Sequence, residues 1–218
     1  MGSLYSVVVP VRVVDHPIAQ DALARLRDSR TPPDLFRQLA TRLSLLVAAE
    51  ATRDLVTRDI TVQTPLGAAS GRHLGSDVVV VPILRAGLGM LDAILSLLPH
   101  ARVGHIGLER SESTAKASRY YAKLPDDLSQ SDVLLIDPML ATGGSCAAAI
   151  DLLRHAGARH VTVLCLVAAP EGIASIRDRF PDITIVTPAV DRELNAQKFI
   201  VPGLGDFGDR LYGTRLID

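Results

Sequence analysis

Val133-Leu134-Leu135-Ile136-Asp137-Pro138-Met139-Leu140-Ala141-Thr142-Gly143-Gly144-Ser145 runs from an apolar stretch through a glycine pair into a second segment of helical spacing. Residues 133–136 have the character of a strand covered on both sides, and residues 145–156 read as a helix. Between them the glycines let consecutive backbone N–H groups face one anion. Thr142 and Ser145 add hydroxyl donors, and the helix start at Ser145 supplies the positive end of a dipole. Asp137, at the carboxyl end of the strand, is placed to accept hydrogen bonds from sugar hydroxyls. Phosphate next to ribose is the simplest ligand that uses both features. An ordinary strand-to-helix turn with a capping serine would account for Thr-Gly-Gly-Ser alone; residues 137–145 taken together point to a binding loop.

The alternation extends outward in both directions. Short β-branched runs at 78–84, 101–108, 133–136, 161–167 and 183–186 are separated by helical patterns at 88–98, 145–156 and 171–180. This order predicts an α/β fold, a mostly parallel sheet with helices on both faces. Ligands of such sheets sit beyond the carboxyl ends of the strands, so the residues after Leu84, Leu108 and Ile136 are the places to look for chemistry. Upstream, Thr31-Pro32-Pro33 predicts a helix opened by a capping hydroxyl and an early proline, with Leu35, Phe36, Leu39, Leu43, Leu46 and Val47 on one stripe. Residues 111–123 are polar and lack periodicity, which predicts a mobile active-site flap. No repeat or linker divides the chain, and one domain spanning 1–218 is expected.

Composition excludes several classes. Among 218 residues, Lys+Arg 23 against Asp+Glu 24 leaves a net charge of -1, and 48% of the chain is hydrophobic. That is a folded globular chain with no electrostatic grip on nucleic acid. No apolar run approaches the ~20 residues that span a bilayer, and the N-terminus lacks a signal-peptide pattern, so a soluble, cytoplasmic protein is expected. Cys146 and Cys165 form no metal or disulfide pattern and read as buried small residues. Lys116, Lys123 and Lys198 are the only lysines, and no Gly-Lys-Ser or Gly-Lys-Thr is present, which removes most phosphate-loop NTPases. Gly203-Leu204-Gly205-Asp206-Phe207-Gly208 matches the dinucleotide GxGxxG pattern, but is expected not to open a helix after a strand.

Residues 137–145, Val-Pro-Ile-Leu-Arg-Ala-Gly-Leu-Gly-Met at 81–90, Leu-Val-Ala-Ala-Pro-Glu-Gly-Ile at 166–173 and Ile-Val-Pro-Gly-Leu-Gly-Asp at 200–206 together resemble the uracil phosphoribosyltransferase family. His16-Pro17, residues 50–55 and Phe207-Gly208-Asp209-Arg210 extend the likeness over nearly the whole chain. The resemblance implies a type I phosphoribosyltransferase fold with a hood built from the N-terminal region and about 190–218. It implies transfer of the phosphoribosyl group of 5-phosphoribosyl 1-diphosphate (PRPP) to uracil in pyrimidine salvage, with Mg²⁺ bound mainly through PRPP, in a homodimer or higher homo-oligomer. It further implies that Arg85, Ala86, Gly87, Arg110, residues 137–145 and Asp206 contact PRPP, with Arg85, Arg110 and Asp137 catalytic. Ile200, Gly205, Asp206 and Phe207 would read uracil through the main chain. No dedicated protein metal site is expected.

The chain departs from the family pattern near the base. Phe207 stands where relatives usually carry Ala, Phe199 where Tyr is usual, and Ala49 where Tyr is frequent. The Phe207 ring is expected to point outward, leaving its N–H for the base. A nucleotide-binding regulator on the same fold, or a transferase for a different base, are the alternatives.

Overall fold

A computed structural model describes residues 11–110 and 117–214. The N-terminal part comprises β1 (Val11–Val13), α1 (Pro17–Arg27), α2 (Pro33–Ala51), and strands β2 (Thr57–Thr64) and β3 (Gly67–Leu74). There follow β4 (Asp77–Leu84), α3 (Leu88–Leu97), β5 (Arg102–Val103), β6 (His105–Arg110), β7 (Ala117–Lys123) and β8 (Ser131–Ile136). The chain continues with β9 (Met139–Leu140), α4 (Gly144–His155), β10 (His160–Leu164), β11 (Val167–Ala168) and α5 (Pro170–Arg179). Last come β12 (Thr184–Thr187), β13 (Glu193–Leu194), β14 (Ile200–Val201) and α6 (Phe207–Tyr212).

The main sheet has the order β1-β12-β10-β8-β4-β6-β7, with β5 also on β4. All its pairs are parallel except β6 with β7. Successive side chains of a strand point to opposite faces, and both faces are filled. Val78 and Val80 of β4 join α1, α2, α3 and α6 in one core; Val79, Val81 and Ile83 join α4 and α5 in the other. This double covering is what the near-continuous valine run requires. From β4 the chain steps outward to β6 on one side, and from β8 it steps to β10 and β12 on the other. The point where strand order reverses therefore lies between β4 and β8, and a crevice opens there beyond the strand ends.

Several expectations need correcting. Thr31 does not cap α2: its hydroxyl donates to the Arg25 carbonyl at 2.6 Å, and Pro32 occupies the N-cap without a side-chain bond. Standing one residue upstream of the cap, Thr31 serves the end of α1 instead. The helix α1 begins at Pro17, with His16 Nδ1 accepting from Ile18 N–H, and buries Ala19, Ala22, Leu23 and Leu26 at helical spacing. Of the expected flap, residues 111–116 lie outside the described residues, while Ala117–Lys123 is an edge strand antiparallel to β6, with a register shift opposite Gly107 and Leu108. An edge strand buries little, so its composition hides its periodicity. No helix among the described residues is long and apolar enough to cross a membrane.

Candidate active site

The 137–145 loop leaves the sheet with Asp137 N–H donating to the Leu164 carbonyl at 3.1 Å. Its next residues form β9, paired in parallel with β11 through Met139↔Val167 and Leu140↔Ala168. Gly143 then adopts φ 79°, a left-handed conformation that a side chain resists, and α4 begins at Gly144, one residue before the expected start. A Cβ on Gly144 would meet nothing nearer than Thr142 Oγ1 at 3.7 Å, and the Gly144 N–H donates to that hydroxyl at 3.4 Å. A shallow cavity of about 50 Å³ is lined by Asp137 and by residues 139–146. A larger depression, about 540 Å³, is an open groove lined by β2 and β3 residues and involves no strand-end loop.

Asp137 retains some accessibility at the mouth of the cradle, yet its carboxyl is desolvated. Burial pushes it up to about 7, against the lowering effect of the Met139 N–H bond. The thiols of Cys146 and Cys165 are buried, and burial pushes both upward, Cys165 to about 12. They are neutral packing groups, as expected, and not nucleophiles.

Across the crevice, β4 ends at Leu84 and the 85–87 turn leads into α3. The Leu84–Arg85 peptide is cis, and the Arg85 side chain is exposed. Gly87 explains how close this turn comes to the loop: a Cβ there would meet the Ile136 carbonyl oxygen at 2.6 Å and the Ile83 carbonyl oxygen at 2.7 Å. The turn thus rests on the residue immediately before Asp137. Arg110 ends β6, two positions beyond the expected strand; its side chain lies outside the described residues.

The C-terminal segment joins the same region through α3. A Cβ on Gly89 would meet Leu211 Cδ2 at 2.6 Å and Phe207 Cε1 at 2.9 Å, so α6 sits directly against the helix that follows Arg85. Ile200, on β14, is buried, and β14 pairs antiparallel with β13. After the cis Val201–Pro202 peptide, Gly203 and Gly205 take φ 59° and 80°. Gly205 and Asp206 are exposed; Asp206 Oδ1 caps α6 by accepting from Asp209 N–H at 2.9 Å. Contrary to expectation, residues 203–208 do run from a strand into a helix, but a six-residue one followed by no further strand among the described residues. Phe207 also departs from expectation. Its ring is 1% exposed and packs in the core against Phe36, because α6 turns its first apolar residue toward α2 and α3.

The fold therefore brings the 85–87 turn, the 137–145 loop and the 200–207 segment to one end of the sheet. A model of the uracil phosphoribosyltransferase family matches residues 13–214. The chain belongs to that family. Among its relatives, the uracil phosphoribosyltransferase of Dictyoglomus turgidum is 49% identical over 94% of this chain and 100% of its own. That of Symbiobacterium thermophilum is 50% identical over 94% and 99%. A solved protein from Aquifex aeolicus superposes with TM-score 0.89 at 34% identity, covering 95% of this chain and 100% of that one. The type I phosphoribosyltransferase architecture expected from sequence is thus the one observed. For a uracil phosphoribosyltransferase, three groups that hold these segments together were not singled out by sequence reasoning: Arg27, Asp191 and Gly172. Only Gly172 had a signal, as the glycine of the 166–173 motif, where a Cβ would meet the Ala141 carbonyl oxygen at 2.4 Å.

Proposed function

We propose that PRPP lies between the 85–87 turn and the 137–145 loop, and that uracil is read by the backbone of Ile200, Gly205, Asp206 and Phe207. As a member of its family, the chain is an enzyme that transfers the phosphoribosyl group of PRPP to uracil, yielding UMP and diphosphate in pyrimidine salvage. The observation that carries the residue assignment is the contact of Gly87 with the Ile136 carbonyl. It supports the reading because the turn that carries Arg85 then lies beside the 137–145 loop at the point where strand order reverses.

In the reaction, uracil N1 bonds to the anomeric carbon as the bond from that carbon to diphosphate breaks, and the N1 proton is released. Positive charge builds on the ribose ring and negative charge on the leaving group. Arg85 and Arg110 offset the latter, amides of the 142–145 turn hold the 5-phosphate, and ionised Asp137 orients the ribose hydroxyls. The carbonyl, N–H, carbonyl edge of uracil needs a donor, an acceptor and a donor at fixed spacing, which backbone groups supply. Mg²⁺ fits this donor set. The assigned residues offer isolated carboxylates, Asp137 and Asp206, and Mg²⁺ favours substrate oxygens, water and one or two carboxylates. When bound with PRPP it would neutralise charge on the diphosphate.

We further assign the enzyme to the cytoplasm, with its two metabolite substrates, and to a homo-oligomer. The β2–β3 hairpin supports the latter: eight residues in each strand, exposed Val62 and Leu74, and a two-stranded ribbon that is marginal unless covered. The test of function is to incubate the protein with PRPP, Mg²⁺ and each nucleobase and follow nucleotide formation. UMP from uracil is expected to dominate; no nucleotide from uracil would overturn the reading.

A further inference from the structure

The Gly203 turn is gripped by a charged pair. From the last turn of α1, Arg27 Nη2 donates to Asp191 Oδ1 at 2.6 Å and Nη1 donates to Asp191 Oδ2 at 2.8 Å. The same Nη1 reaches the Gly203 carbonyl at 2.7 Å, and Gly203 N–H donates to Asp191 Oδ2 at 2.8 Å. One ion pair thus holds both polar backbone groups of a single residue. The turn runs close against its own strand, since a Cβ on Gly203 would collide with the Ile200 carbonyl oxygen.

This pair differs from the surface salt bridges elsewhere on the molecule. The Asp191 side chain is only 5% exposed and that of Arg27 22%. Two such groups are costly to desolvate, and a pair of this kind contributes geometry more than net stability. The geometry is specific. An ionised carboxylate only accepts and a guanidinium only donates, so Asp191 can take the Gly203 N–H while Arg27 takes the Gly203 carbonyl.

At its other end Asp191 is tied to the phosphate loop. Its backbone N–H donates to the Ala168 carbonyl at 2.8 Å, and the N–H of the next residue, Ala169, donates to the Leu140 carbonyl at 2.8 Å. Asp191 therefore stands between the 137–145 loop and the turn that leads to Gly205. On the far side, Arg210 Nη1 donates to the carbonyls of Leu204 and Leu26, which closes the clamp on α1.

We propose that Arg27 and Asp191 are positioning residues for the base: their ion pair sets where the Gly205 peptide stands relative to the phosphate loop, and so how uracil N1 meets the anomeric carbon. The inference rests on the reading of residues 200–207 as the uracil site. Backbone readout has no side-chain freedom with which to absorb a shift, and small misplacements of bound reactants cost large factors in rate.

The test is steady-state kinetics with PRPP and uracil varied separately, alongside melting curves with and without PRPP and Mg²⁺. Asp191→Asn keeps the size but turns an N–H₂ group toward the guanidinium. It is expected to raise the uracil KM about tenfold or more, with the PRPP KM and the PRPP-induced rise in Tm held within about twofold. Arg27→Gln should behave alike and Arg27→Lys, which keeps the charge, should recover part of the loss. The Arg27 variants carry the comparison if Asp191→Asn does not fold. An unchanged uracil KM, or a parallel rise in both KM values, would overturn the proposal. Gly205→Ala separates the two readings, because a methyl there meets nothing nearer than Arg210 Cδ at 3.6 Å but sits at φ 80°. If it leaves uracil KM unchanged, the base-site assignment fails and the proposal with it. If it raises uracil KM while Asp191→Asn does not, the positioning role alone is refuted.

Discussion

The ring of Phe207 lies against that of Phe36, centroids 5.3 Å apart and planes tilted by 59°. The residue thus divides its parts: a backbone in the segment assigned to uracil, a side chain in the core beneath it. Truncating a buried phenyl ring costs about 3–5 kcal/mol. Phe207→Ala is expected to lose stability of that order in denaturant titration while changing the uracil KM less than about threefold, a shift worth under ~1 kcal/mol. A tenfold gain in kcat/KM for uracil would show instead that the ring obstructs the base.

Gly172 belongs to α5, yet its α-carbon abuts the Ala141 carbonyl in the 137–145 loop. A methyl group there would meet backbone at 2.4 Å, which cannot yield as a side-chain tip can. Gly172→Ala is therefore expected to displace the loop and raise the PRPP KM by about tenfold or more. Titration of PRPP at saturating uracil, with folding checked by circular dichroism, measures this.

Asp137 carries a pH dependence of defined sign. Its folded value, raised from 3.8 to about 7 by burial, means the folded state holds a proton that the unfolded state has released. Its contribution to stability is present below about pH 4 and is lost as pH rises through about 7. Asp137→Asn should remove that slope, becoming the more stable protein above pH 7 by a few kcal/mol at most (~1.4 kcal/mol per unit of pKa). Activity should run the opposite way. With the ionised form proposed to orient ribose, kcat/KM for PRPP should rise with pH through about 7 in the wild type, and turnover of the Asn variant should be lower by about 10²-fold with no such inflection.

Arg85 is exposed, and exposed side chains away from packing change stability by no more than about 0.5 kcal/mol. Arg85→Ala should melt at the wild-type temperature without ligand, lose most of the stabilisation conferred by PRPP with Mg²⁺, and turn over about 10²–10³-fold more slowly. Thermal melts in the two conditions separate this from a folding defect. A full ligand-induced shift in the variant would take Arg85 out of the diphosphate site.

Much of this protein was written in local pattern. The valine run of β4 and the apolar stretches of β8, β10 and β12 demand a sheet covered on both faces, and the alternating helical spacing supplies the cover. Gly143 and Gly144 mark a strand-to-helix turn, because backbone conformation is decided within a few residues. What local pattern could not supply was which chain segments meet. Arg27 and Asp191 lie 164 residues apart and their pairing has no signature in spacing. Likewise, the direction of the Phe207 ring depended on the orientation of α6 against α2 and α3, and the strand character of Ala117–Lys123 on pairing with β6. Hydrophobic periodicity is a property of neighbouring residues. The direction of a ring, the partner of a buried charge and the distance between two loops are set only when distant segments pack.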